Sequence, residues 1–178
     1  MKAKVLSEHF MDEAMYGLSL SYGTDISKME KVADGLAWKD GGHNKFLESI
    51  IVAIDIDAPR YWWSQFDTYR IGVTKQSEST MHTLMERELT FLDFCPGVSA
   101  ISISVVNKYI RAKDFMAAKV NLPEGFLQQR VVVLSYMSLR RMRKQRYNHK
   151  LEEWRVLCDN IASQVTKPQW IIETKEVQ

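Results

Sequence analysis

The sequence predicts an α/β or α+β fold: one domain with a central mixed sheet flanked by helices. Three observations predict it. Residues 50–57 and 129–135 are β-branched apolar runs with the profile of buried strands. Several longer segments around them carry apolar residues at helical spacing. The two kinds of segment alternate, the pattern of a sheet covered by helices. With 178 residues and no repeat, low-complexity tract or Pro/Gly-rich linker, the chain reads as a single domain over 1–178.

The elements follow in order. Residues 25–38 read as a helix, with Ile26, Met29, Val32, Ala33 and Leu36 on one face, ended by the DGG of 40–42. A second short helix holds 43–49. The run 50–57 is a strand inside the sheet. Pro59 suits the first turn of a helix, where its missing N–H costs nothing, so Asp57 or Ala58 opens a helix to Tyr69. On it Arg60, Ser64 and Asp67 share one side, while Tyr61, Trp62, Gln65 and Phe66 crowd the other. Residues 70–74 read as a brief strand and 76–88 as a helix capped by Ser77 or Ser79. A helix over 97–113 follows the Pro96-Gly97 turn. Beyond the strand at 129–135, residues 136–146 and 151–165 are helical, the latter with Trp154, Leu157, Ile161 and Val165 on one face.

Composition excludes several classes of function. Apolar residues make up 46% and charged residues 26%, as in ordinary globular proteins, and no run approaches the roughly 18 apolar residues of a membrane span. The opening MKAKVLSEHFMDEA lacks a secretory core, and Cys95 and Cys158 form no metal or disulfide pattern, which points to a reduced, cytoplasmic setting. GxSxG, GxGxxG and GxxxxGK[ST] do not occur. A net charge of +2 hides one local excess, RRMRKQRYNHK at 140–150, with six lysines and arginines, one histidine and no acid. That cluster reads as a solvated helix face, an anion site or a polynucleotide patch.

Two side chains raise sharper questions. Gln65 is an amide among aromatics; unpaired in an apolar setting it would cost about 1–3 kcal/mol, so a structural network and recognition of a base stand equal. Arg70, at a helix-to-strand junction, either pairs with a carboxylate such as Glu48 or serves a ligand. Trp62 and Trp63 read as core, because aromatics carry much of a core's buried area.

Several pieces in order then resemble the flavin-dependent thymidylate synthase family: His43…Glu48, Pro59-Arg60…Gln65…Tyr69-Arg70, Ala118-Lys119 through Leu122-Pro123, Met137 to Arg140, and His149…Glu153-Trp154-Arg155. The family signature RHRxxSxNxxSxR falls on residues 68–80, where only its third position, Arg70, is kept. Thr68 and Tyr69 replace its arginine and histidine, and Val73, Lys75, Glu78 and Thr80 replace its later serine, asparagine, serine and arginine.

The resemblance implies the family fold, a pyrimidine nucleotide such as dUMP as ligand, and FAD as cofactor. NADPH and methylenetetrahydrofolate join them where the family activity is retained. It implies Gln65 as reader of the base, Lys119, Lys75, Gln76, Ser79 and Arg140 around the substrate, with Lys119 and Thr80 standing where the family has phosphate-binding arginines, and Glu48, Tyr69, Arg70 and His149 around the flavin. Arg146 is the match for the arginine that activates the base, with Gln145 as its alternative because the loop to His149 is one residue short. A homotetramer is implied, and no membrane partner. Two readings remain: a divergent enzyme acting on a pyrimidine nucleotide, or an inactive nucleotide-binding or protein-interaction module that keeps the fold. The sequence names no nucleic-acid or protein partner.

Overall fold

A computed structural model describes residues 1–173. Four strands, β1 (Lys2–His9), β2 (Ile51–Pro59), β3 (Val73–Ser77) and β4 (Leu127–Ser135), form one sheet in the order β1-β2-β4-β3. The α+β class is as expected. The sheet is antiparallel throughout, not mixed. The two runs legible as buried strands are its inner pair. On β2, Val52, Ile54, Ile56 and Ala58 alternate as buried residues with half-buried neighbours, the period-two pattern of a strand with one face in the core. On the edge strand β1, Lys2 and Lys4 point to solvent, a charge pattern that discourages pairing with a further strand.

Among the described residues eight α-helices accompany the strands: α1 (Met11–Tyr22), α2 (Met29–Leu36), α3 (Arg60–Phe66), α4 (Thr80–Thr83), α5 (Ala100–Arg111), α6 (Phe115–Val120), α7 (Tyr136–Arg146) and α8 (Glu153–Ala162). By contacts the chain groups into two compact units. Unit 1 takes residues 1–2, 56–69 and 75–131; unit 2 takes 3–55, 70–74 and the described residues from 132 on.

Unit 1 has its own core, formed by Leu84, Leu89, Phe94, Ile103, Val106, Ile110, Ala118, Leu122 and Phe126. Asn107 is the polar member of this interior. Its Oδ1 accepts from the Leu89 N–H at 2.8 Å and its Nδ2 donates to the Leu89 carbonyl at 2.8 Å, so one side chain satisfies both backbone groups of a buried loop residue.

Unit 1 also corrects three expectations. Pro59 does not enter the helix; it is the extended N-cap at φ −69°, ψ 151°. The reason is pairing, since the Arg60 and Tyr61 N–H groups donate to the Phe126 and Glu124 carbonyls. The strand expected at 70–74 is displaced to 73–77, after a turn in which Gly72 has φ +67°. The helix expected over 76–88 shrinks to α4, because the chain continues as strand and the Glu78 N–H bonds the Gln129 carbonyl. Ser79 occupies the N-cap position of α4 without a side-chain cap bond.

Unit 2 buries Met29, Ala33, Leu36, Phe46, Leu47, Trp154, Leu157, Ile161 and Trp170. The expected helix at 25–38 splits into a 3-10 turn over Ile26–Lys28 and α2. The short helix at 43–49 is 3-10, over Lys45–Glu48. Residues far apart in sequence are tied by Glu8. Its carboxylate accepts from the Tyr136 hydroxyl and, at 2.9 Å, from the Thr166 N–H. Gln164 adds a 3.0 Å bond from the Val5 N–H. Burial, together with the Glu8 contact, raises the Tyr136 phenol above its ordinary value.

Candidate functional site

The residues singled out from the sequence divide between the units. Gln65, Tyr69, Lys75, Gln76, Ser79 and Lys119 belong to unit 1, and Glu48, Arg70, Arg140, Arg146 and His149 to unit 2.

In unit 1 the α3 helix presents Trp62, Trp63 and Phe66 to the interior and leaves Gln65 half-buried. The indoles of Trp62 and Trp63 stand edge-on at 4.9 Å, so both are core, as expected. The Gln65 side chain makes no hydrogen bond among the described residues.

Directly after α3, Asp67 gathers two cations. Lys75 Nζ donates to its Oδ1 at 2.9 Å, and Arg130 reaches both carboxylate oxygens at 3.1 and 3.3 Å. The Arg130 guanidinium lies over the Trp63 ring at 4.4 Å, and Lys75 also donates to the Tyr69 carbonyl at 3.3 Å. Burial alone would raise the Asp67 pKa, but the Lys75 hydrogen bond and the Arg130 charge outweigh it and hold the carboxyl below its usual range. Lys75 therefore spends its charge on the shape of this segment. Neither Asp67 nor Arg130 stood out in the sequence, because their pairing spans 63 residues and has no local signature.

A second cluster lies where the chain enters α4. Lys119, on α6, donates to the hydroxyl of Thr80, 39 residues away in sequence. Thr80 is buried, at 5% exposure. Burial, and then the charge of Arg60, lower the Lys119 ammonium from its ordinary value. Arg60 itself donates to the Leu122 carbonyl at 3.2 Å and pairs with Glu124 at 3.3 Å. The arrangement concentrates positive charge beside a hydroxyl, a set of donors that suits an oxyanion. Ser79 next to it is half-buried, and Gln76 is exposed on β3.

In unit 2 the cation-rich helix α7 spends most of its charge internally. Arg140 stacks on Trp38 at 4.9 Å and donates to the Ala37 carbonyl. Arg143 lies over Tyr147 at 4.0 Å and pairs with Asp159 at 3.1 Å. Arg146 lies 5.3 Å from the Trp154 ring centroid. Glu48 pairs with Arg141 at 3.5 Å, not with Arg70. Arg70 is exposed and makes no side-chain hydrogen bond or ion pair among the described residues. His149 Nδ1 accepts from the Leu151 N–H at 3.1 Å, which fixes the proton on Nε2 in the neutral ring.

A flavin dinucleotide needs donors and cations for its pyrophosphate. In unit 2 the exposed Arg70 guanidinium and the Nε2–H of His149 fit that need in chemistry. In unit 1 Thr68 adds nothing to it, since its hydroxyl donates to the Gln65 carbonyl at 2.8 Å. Tyr69 packs its ring against Phe66 at 5.9 Å. Among the described residues no group of three or more His, Cys, Asp or Glu is placed to hold a metal ion.

Comparison with solved structures bears on the whole chain. The flavin-dependent thymidylate synthase ThyX of Helicobacter pylori, solved with FAD and dUMP, superimposes with a TM-score of 0.81 over 97% of this chain and 98% of its own. The chain has the ThyX fold. A second structure of that enzyme with the same ligands, at 2.31 Å resolution, gives a TM-score of 0.80 over the same shares. Identity is 16% in both. No family model matches the chain, and no curated protein matches it in sequence. A ThyX-like backbone thus carries a largely different set of side chains.

Proposed function

We propose that this chain binds a pyrimidine nucleotide of the dUMP type, with Lys119 and Thr80 at the phosphate and Gln65 at the base. One observation carries the proposal: Lys119 meets Thr80 across 39 residues, and these are the two positions where the family resemblance expects phosphate-binding arginines. A lysine beside a hydroxyl replaces two guanidinium forks, keeping charge and donors while giving up bidentate geometry. The Gln65 amide, with no hydrogen bond among the described residues, is available to a base edge. Lys75 contributes by holding its segment through Asp67.

The ThyX structures contain FAD as well as dUMP, and we extend FAD to this chain through Arg70 and His149. When bound, the flavin supplies hydride transfer. Arg146 is the guanidinium assigned to the base, and self-association into a homo-oligomer belongs to the same reading. Among the described residues no helix is long and apolar enough to cross a membrane. A second reading, nucleotide binding without turnover, is favoured by Thr68 and Thr80, which bring no cation to the signature segment.

The deciding experiment reconstitutes the purified protein with FAD, records its flavin absorbance, titrates dUMP, and assays uridylate-dependent NADPH oxidation. Flavin binding, dUMP binding and oxidation together support the enzyme. A colourless protein that binds dUMP supports the second reading. A protein that binds neither ligand overturns both.

A further inference from the structure

Unit 2 has an open cavity of about 210 Å³ lined by Arg140, Arg143, Lys144 and Tyr147 on one side and by Trp38, Ile171, Ile172 and Glu173 on the other. Its volume falls below the roughly 300 Å³ at which pockets for drug-sized ligands begin, which limits an occupant to about one ring. Its chemistry is two-sided. Trp38, Tyr147 and the two isoleucines give flat or aliphatic surface, while three cations on one edge of the helix outnumber the single carboxylate, Glu173.

The cations of that edge are not equally engaged. Arg143 is paired with Asp159 and stacked on Tyr147. Arg140 is held in place by the Trp38 ring and the Ala37 carbonyl, and it makes no ion pair with a carboxylate among the described residues, with Asp40 and Glu173 the acids that act on it. Lys144 is exposed and makes no hydrogen bond or ion pair among the described residues. Burial lowers the Arg140 guanidinium from its ordinary value; Asp40 opposes this, Arg141 adds to it and Glu173 opposes it. An arginine keeps its proton in such a setting, so the partly desolvated charge gains from an anion.

We propose that this cavity binds a small carboxylate with a ring-sized apolar body, the carboxylate between Arg140 and Lys144 and the body against Trp38 and Tyr147. The proposal takes Arg140 out of the substrate set that the family resemblance implies, and it uses none of Lys119, Thr80 and Gln65, the groups that carry the nucleotide reading.

Trp38 makes it testable. It is the one tryptophan of the five that is not buried. Acrylamide quenching of the intact chain therefore reports mainly on Trp38. Benzoate is the probe, benzamide its uncharged counterpart, and inorganic phosphate the test for a bare anion site. Benzoate is expected to bind saturably in calorimetry and to shield the accessible tryptophan. Benzamide is expected to bind about tenfold more weakly, and Lys144→Gln to weaken benzoate about tenfold, the effect of one charge-assisted contact. Lys144 is solvent-exposed, so its replacement leaves the fold intact. Saturating dUMP is expected not to displace benzoate, which separates this site from the nucleotide site. Equal binding of benzoate and benzamide, tighter binding of phosphate, an unchanged Lys144→Gln, displacement by dUMP, or no shielding of Trp38 would each overturn the proposal.

Discussion

Replacing Lys119 by glutamine tests the phosphate site with the least damage around it. Glutamine removes the charge while keeping a neutral donor within reach of the Thr80 hydroxyl. A charge-assisted bond to a phosphate is worth about 1.5–3 kcal/mol, so dUMP affinity is expected to fall by roughly 10- to 150-fold. Stability should move the other way or stay level. Burial disfavours the charged form of Lys119, so its folded-state pKa is depressed and charging it costs the folded protein free energy. That cost is present throughout the range below the folded pKa, neutral pH included, and disappears as pH rises through it. Glutamine removes the cost. Calorimetric titration with dUMP, paired with a urea melt, reads both effects. Lys119→Arg should retain affinity to within about threefold, since it keeps the cation. Unchanged dUMP affinity in Lys119→Gln would refute the phosphate assignment, and a loss that tracks a lowered urea midpoint would reduce Lys119 to a structural residue.

Three further outcomes are expected. Asp67 has a depressed pKa, so the stabilisation it draws from Lys75 and Arg130 is complete above the ordinary carboxylate range and is lost as pH falls through its folded value. With its side chain 46% exposed, the solvent-screened contribution is about 1 kcal/mol. Asp67→Asn should therefore lower the urea midpoint at pH 7 but not at pH 2; a difference that persists at pH 2 would contradict this. Asn107→Leu leaves the buried Leu89 N–H and carbonyl without partners and should cost about 2–5 kcal/mol in urea unfolding, whereas a loss under 1 kcal/mol would mean the loop finds other bonds. Burial pushes the Cys158 thiol up to about 11, so iodoacetamide at pH 8 should label the half-buried Cys95 first; peptide mass spectrometry showing the reverse order would count against the packing around Cys158.

What was legible in the sequence was what local pattern determines. The inner strands and α5, α7 and α8 announce themselves by β-branched runs or helical spacing, and their observed bounds lie within a few residues of those expected. The edge strand β1 and helix α1 do not. KAKVLSEH buries no residue fully, and α1 exposes Tyr16 and Leu20 as well as its polar positions, so neither has a clean apolar stripe. The stretch at 76–88 misled because its apolar spacing is helical, while backbone pairing with β4, invisible locally, holds its start as strand. The candidate site divides the same way. Gln65, Arg70 and Lys119 are marked by motif position. The Asp67 and Arg130 contacts and the Trp38 and Tyr147 stacks join residues by tertiary placement. Within the basic segment these contacts engage Arg140 and Arg143 and leave Lys144 exposed.

The Glu8 contacts also bear on the order in which the chain can be finished as it is made. Most of unit 1 is drawn from 56–131, so the ribosome releases its parts within one stretch. Unit 2 cannot close on that schedule, since Glu8 waits for Thr166, 158 residues later, and Val5 for Gln164. Through most of synthesis the first strand must stay unpaired with its C-terminal partners, and such late, distant closures slow folding and prolong the exposure of apolar surface. Pulsed hydrogen exchange during refolding should then protect the amides of α5 before those of β1.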